Sequence, residues 1–242
     1  MDKDNLNILF FTDVHGNIDA IKRLDFKKYD LVICGGDIID PTFPDINNAK
    51  KVISLLPKET YIVPGNCDKG VEIGKLIDTL TNIHKKHINI DGIDIVGIGY
   101  SGSLKDDLIF YRKWFTDDEE RIFTYMKESQ NTFILDACGI KVGKNNKISM
   151  IPIDDALTKM KGLIDKFDFF VDEELKELTD NIVETNFSIV ITHSPPHGLL
   201  DRLPGLPNIG SVSITNLIIK IKPRLVLCGH FHENVGTATF LD

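Results

Sequence analysis

Short apolar runs alternate along the chain with amphipathic stretches in which apolar residues recur at helical spacing. The runs Asn7–Thr12 (NILFFT), Leu31–Cys34 (LVIC), Thr60–Val63 (TYIV), Ile93–Ile98 (IDIVGI), Ser188–Thr192 (SIVIT) and Leu225–Cys228 (LVLC) predict strands, and Val235–Phe240 is a weaker seventh. Helices are predicted over Ile18–Phe26, Asp45–Leu56, Glu72–Leu80, Asp117–Lys127, Asp154–Lys166, Asp172–Glu184 and Ser213–Ile221. Acidic or hydroxyl residues open several of them, as helix caps should. Alternation of this kind is the signature of an α/β protein, and continuously apolar strands imply sheets covered on both faces.

Two local patterns refine this picture. In NIDGIDIVGI (89–98) two short runs meet at Asp91-Gly92, a strong hairpin signal, so one sheet should contain an antiparallel pair. The region from about 104 to 187 is poorer in strands and more helical. It holds a second candidate hairpin, Phe133–Ile140 with Lys147–Ile153, across the polar loop KVGKNN. No linker divides the chain, so residues 1–242 read as a single domain carrying an insertion-bearing helical segment at about 104–187.

Composition narrows the partners. The 242 residues carry 36 acidic and 28 basic side chains, a formal net charge of −8, without a long basic tract. Such a surface disfavours extended nucleic-acid binding, and with it a nuclease of broad footprint, and also anionic membranes. It leaves room for one phosphate in a locally positive site. The opening MDKDNLNILFF carries acidic residues where a signal peptide needs basic ones, and its apolar core is too short to span a membrane. Four cysteines (Cys34, Cys67, Cys138 and Cys228) lie scattered without CxxC spacing, which fits a reducing, cytoplasmic setting without disulfides.

Candidate chemistry sits at the strand ends. The first strand runs into Asp13-Val14-His15-Gly16-Asn17 and the second into Gly35-Gly36-Asp37. The third runs into Pro64-Gly65-Asn66-Cys67-Asp68. The strand at 188–192 runs into His193-Ser194-Pro195-Pro196-His197, and the last into Gly229-His230-Phe231-His232. Five of the seven histidines fall in these bursts. Taken singly, each burst is an ordinary turn. Together they place metal-competent side chains where α/β sheets bind ligands, beyond the carboxyl ends of strands. Carboxylate, imidazole and amide oxygen suit manganese, iron, zinc, cobalt or nickel. The set is too large for one tetrahedral ion and fits two ions sharing a carboxylate, roughly 3.5–4 Å apart.

Asp13-x-His15, Gly36-Asp37, Gly65-Asn66-Cys67-Asp68, Thr192-His193 and Gly229-His230-x-His232 resemble, in order, the five blocks of the calcineurin-like metallophosphoesterase superfamily. THSPP and LVLCGHFHE resemble smaller archaeal and bacterial members. The resemblance implies two facing mixed β-sheets flanked by helices. It implies a binuclear centre with Asp13, His15 and His232 on the first metal, Asn66, His193 and His230 on the second, and Asp37 bridging. Manganese heads the list of ions. The implied chemistry is phosphoester hydrolysis by in-line attack of a metal-bridging hydroxide, without a covalent phospho-enzyme. The substrate would be a small phosphate ester; a homo-oligomer is compatible with the sequence.

Three departures qualify the resemblance. Cys67 stands where many relatives carry a histidine that assists the leaving oxygen or holds the phosphate. A thiol with an ordinary pKa near ~8.5 is a weak acid at neutral pH and cannot carry positive charge. Diesters or activated esters are therefore expected over ordinary monoesters. The alternatives are a phosphomonoesterase or protein phosphatase, or a metal-binding scaffold with little catalysis; the presence of all seven metal positions argues against the scaffold. The stretch 132–168 has no counterpart among the family blocks. Relatives usually continue with another strand after the last histidine, whereas ten residues follow His232 here. Three further residues are candidates for catalytic support: His197 as a replacement acid, Asn17 at a helix N-terminus as a phosphate contact or simple cap, and Asp68 as an orienter of the metal ligands.

Overall fold

The computed structural model describes residues 6–40, 42–68, 70–100, 104–129, 132–156, 158, 188–202, 208 and 210–239. Two four-stranded sheets form its centre. In the first, β1 (Ile8–Phe11), β2 (Leu31–Cys34), β3 (Tyr61–Ile62) and β4 (Thr81–Asn82) run parallel in that order. In the second, the order is β10 (Leu225–Leu227), β9 (Ser188–Thr192), β6 (Ile93–Ile98) and β5 (Lys86–Ile90). The first three of these are parallel, and β5 returns antiparallel through the expected turn at Asp91-Gly92. The mixed α/β architecture expected from the sequence is thus present.

The central strands β2, β6 and β9 are largely apolar because each buries both faces. Leu31 and Ile33 of β2 join Ile95 of β6 and Ile189 and Ile191 of β9 in a core between the sheets. Cys34 and Ile62 point the other way, onto the helices α1 (Ile18–Lys22), α2 (Ile46–Leu55) and α3 (Val71–Ile77). Val96, Ile98 and Val190 likewise turn outward, against α7 (Val212–Ile221). Successive side chains on a strand face opposite sides, so a strand between a sheet and a helix layer has no polar side to show.

Two helices start where their caps predict. Asp45 accepts from Asn47 N at the head of α2, whose buried Ala49, Val52 and Ile53 make one face. Ser211 accepts from Ile214 N at the head of α7, which ends at Lys222 in a left-handed conformation (φ 51°). In the chain between β6 and β9, α4 (Leu104–Thr116), α5 (Glu120–Ser129), α6 (Phe133–Ala137) and the hairpin β7 (Ile140–Val142) with β8 (Ile148–Met150) gather a cluster of their own around Tyr111, Phe115, Ile122 and Tyr125.

Several boundaries differ from expectation. Phe133–Ala137 is helical, so the second hairpin exists only over its inner residues. The first helix stops at Lys22, and Phe26 belongs to a separate 3₁₀ turn. The helix expected from Asp117 starts at Glu120, since the chain up to Thr116 already forms α4. Residues 235–239 form no strand: a turn at Gly236 (φ 74°), closed by Thr237 N donating to Asn234 O at 3.2 Å, occupies their start. The Asp172–Glu184 helix and most of Asp154–Lys166 lie outside the described residues, of which 153–156 are helical. Among the described residues no helix is long and apolar enough to cross a membrane.

Candidate metal centre

Parallel strands put their carboxyl ends at one end of a sheet. Asp13 and His15 follow β1, Asp37 follows β2, and Asn66 follows β3. His193 follows β9, and His230 and His232 follow β10. The loops are laced together by backbone bonds: Asp13 N to Gly36 O (2.9 Å), His15 N to Asp37 O (2.8 Å) and Gly229 N to His193 O (2.9 Å). Asp13, His15, Asp37 and His230 all adopt positive φ (54°, 45°, 54° and 75°). Such conformations cost free energy in residues other than glycine and persist where the surroundings over-determine them.

The seven side chains come together. Donor atoms of Asp13, His15 and His232 lie within 4.8 Å of one another, as do those of Asp37, His193 and His230. Asp37, 2% exposed, stands between the groups, its Oδ2 at 3.9 Å from His15 Nε2 and 3.5 Å from His193 Nε2. Asn66 Oδ1 lies 2.8 Å from His193 Nε2.

The hydrogen bonds show that the cluster suits cations. His15 Nδ1 donates to the Ile39 carbonyl (3.1 Å), and His193 Nδ1 donates to the Gly35 carbonyl (2.8 Å). A carbonyl only accepts, so each ring carries a proton on Nδ1, and in its neutral form presents an Nε2 lone pair. The His193 lone pair faces the Asn66 amide oxygen, and that of His15 faces His232 Nε2 at 3.1 Å. His232 Nε2 also lies 3.2 Å from Asp13 Oδ1, so a proton there would serve both neighbours. His193 Nε2 and Asn66 Oδ1, two acceptors when the ring is neutral, repel at 2.8 Å unless a cation stands between them. Imidazoles fixed through the remote nitrogen by a carbonyl are also the usual arrangement around metals.

Electrostatics agree. Burial opposes ionisation of Asp13, but the neighbouring His193, the Thr12 hydroxyl (2.8 Å), the His230 N–H (3.0 Å) and His232 outweigh it and hold the carboxyl below its ordinary range. Burial, then the adjacent His193, bring His230 down to about 4, so it is neutral and ready to donate a lone pair at neutral pH.

The three supporting candidates fall in different places. Asp68, 1% exposed, accepts from Ile38 N (2.8 Å), Ile39 N (3.1 Å) and Gly65 N (2.9 Å). It ties the loops after β2 and β3 together, and burial pushes its carboxyl up to about 6. Asn17 spends its side-chain oxygen on Ala20 N (3.0 Å), the capping role. His197 packs edge-on against Phe110 (ring centroids 4.5 Å apart), with Nδ1 3.7 Å from Asp201.

Sequence reasoning passed over Thr12, which steadies Asp13, and the Gly35 and Ile39 carbonyls, which orient histidines; backbone acceptors leave no mark in a sequence. It noted the glycines as turn formers, yet two have a sharper role. A Cβ on Gly65 would collide with the Asp37 carboxylate, and one on Gly229 with Thr12 Oγ1 and the Asp13 carboxylate.

Two sheets faced by helices, with an Asp/His/Asn cluster at the strand ends, define a metallophosphoesterase-type α/β protein. The chain belongs to the calcineurin-like phosphoesterase family, whose model matches residues 6–234. An uncharacterized protein of Methanocaldococcus jannaschii is 30% identical over 142 residues, 54% of this chain and 59% of that protein. Metallophosphoesterase domain-containing protein 1 of Homo sapiens is 38% identical over 58 residues, 23% of this chain and 18% of that protein. The matches therefore span less than two thirds of these relatives' lengths. A solved structure superposes with a TM-score of 0.55 over 93% of this chain and 83% of its own, at 13% identity, a likeness of fold alone.

Proposed function

We propose that this chain is a metal-dependent hydrolase of phosphoester bonds with a two-ion centre, acting on phosphodiesters or activated phosphate esters. The observation that carries this reading is the convergence of seven donors from five strand ends, with two imidazoles held through Nδ1 by backbone carbonyls so that Nε2 faces the cluster. Asp13, His15 and His232 would hold one ion, and Asn66, His193 and His230 the other. Asp37 would serve both, in keeping with its place between His15 and His193. Manganese, iron, zinc, nickel and cobalt all suit such donors. Bound there, divalent ions supply the positive charge that holds a phosphoryl group and makes a water nucleophilic at neutral pH.

The chain's own part is positioning. The Gly35 and Ile39 carbonyls hold two imidazoles in the ligating tautomer, Thr12 and the His230 N–H aim Asp13, and Asp68 locks two loops together. Cys67, next to Asn66, offers a thiol where a cationic acid would help a poor leaving group depart. Substrates whose leaving groups need no such help are favoured on that ground. His197 could act as the acid only from its place against Phe110. His197→Ala with unchanged rate and pH profile on a poor-leaving-group ester sinks that role.

The test of the whole reading is a panel of aryl diester, cyclic nucleotide, aryl monoester and pyrophosphate substrates with manganese, nickel, zinc and iron. Asn66→Ala is the blank. Diester turnover above monoester turnover is the expected result. Faster monoester hydrolysis would favour the phosphomonoesterase alternative, and inactivity of a metal-loaded sample throughout would refute hydrolysis.

A further inference from the structure

Two consecutive residues of the loop between β3 and α3 address opposite ends of the donor cluster. Asn66 turns its amide oxygen to His193 at 2.8 Å. Cys67 brings its sulfur within 4.8 Å of donor atoms of both His15 and Asp37. The loop is held in this pose by the same carboxylate that lies between the two ends: Cys67 N–H donates to Asp37 Oδ1 at 2.7 Å. Asn66 Nδ2 donates to the Cys67 sulfur at 3.4 Å, so the sulfur acts as an electron-pair donor in this setting.

The other cysteines differ. Cys34 and Cys138 are fully buried in apolar clusters, where burial pushes their thiols up, Cys138 to about 12. Cys228 is pushed up to about 11 by burial. None of these three belongs to a metal-competent group among the described residues.

The other end of the same cluster is also built to face a cation. His193 is 0% exposed, its Nδ1 proton is committed to Gly35, and its Nε2 lone pair is aimed at an amide oxygen. Spacing fits as well. Ordinary zinc bond lengths of ~2.0–2.3 Å put donors on one ion about 3.5 Å apart. His15 Nε2 and Asp37 Oδ2 stand 3.9 Å apart.

We propose that Cys67 is a sulfur donor to the ion at the His15 end, which makes the two ends of the centre chemically unlike. This rests on the reading above that the cluster holds divalent ions. On binding, the thiol gives its proton to solvent and a sulfur–metal bond forms in its place. The His15 end then prefers zinc, iron or cobalt, whereas the His193 end, with nitrogen and oxygen donors alone, also accepts manganese. The sequence-based preference for manganese would then apply to the His193 end alone.

The experiment is a titration of the metal-free full chain with Co²⁺, followed by absorption. Visible ligand-field bands are expected in the wild type and in Cys67→Ser. A sulfur-to-cobalt charge-transfer band in the near ultraviolet is expected in the wild type alone. Preference for Cd²⁺ over Mn²⁺ should fall at least tenfold in Cys67→Ser. Cys67→Ala is the second variant, with circular dichroism as the check on folding. Cobalt bound without a charge-transfer band in the wild type overturns the sulfur ligand and leaves the metal centre standing. A band that survives in both variants assigns it to another cysteine and overturns the proposal too. Failure to bind cobalt at all overturns both readings.

Discussion

Single side chains in this protein answer to very local rules. Gly65 has no room for a Cβ, because the Asp37 carboxylate and backbone lie against it. Gly65→Ala should therefore cost about 1–3 kcal/mol in denaturant unfolding of the metal-free chain, and lower the number of ions bound after reconstitution. His230 gives a signed pH effect. Its folded value of about 4 lies below the ordinary 6.5, so between these limits the unfolded chain binds a proton that the folded chain does not. Its contribution is complete above pH 6.5 and is lost as pH falls toward 4. In metal-free protein, the wild type should lose roughly 2 kcal/mol more than His230→Gln between pH 7 and 4.5, read by urea unfolding. At this scale the ligand types and their order were legible, because Asp-x-His and His-x-His survive as text. The left-handed backbone at Asp13, His15, Asp37 and His230 was not, since cross-strand bonds and not local propensity impose it. Nor was the direction of the Cys67 sulfur, which depends on Asp37, thirty residues away.

Elements carry most of the stability. Ile33 lies between the sheets with 0% exposure, and Leu225 of the edge strand β10 is only partly buried against the same core. Ile33→Ala should cost about 2–5 kcal/mol. Leu225→Ala should cost less, since a partly exposed side chain gives up less burial and leaves a gap that water can fill. Denaturant midpoints of the two variants check the order. The apolar strands β1, β2, β3, β6, β9 and β10 were readable within a residue or two because short apolar runs bounded by glycine and polar residues have few other uses, whereas the polar β4 left no such mark. The misread elements share one cause. Phe133–Ala137 could pair or coil, and packing against α4 and α5 in a common cluster settles it as α6. Val235–Thr239 has strand-like residues but begins in a turn.

The whole molecule brings distant pieces together at one place. β6 pairs with β9 although Asp94 and Ser188 are far apart in sequence, and that pairing sets His193 beside Gly35 of the other sheet. Carboxylate, imidazole and amide donors gathered at one place should make the metal-free protein less stable than the loaded one. Added Zn²⁺ or Mn²⁺ at 100 times its dissociation constant should raise stability by about 2.7 kcal/mol per site, and chelation should reverse it. Thermal unfolding with and without chelator measures the difference. Strand runs, caps, the hairpin turn and the identity of the donors were written in the order of residues, because each depends on neighbours within a few positions. Which strands pair, which donors gather around Asp37 and where the Cys67 sulfur points depend on contacts between residues far apart in the chain. Only the packed sheets bring those contacts into being, and with them the difference between five ordinary turns and one metal centre.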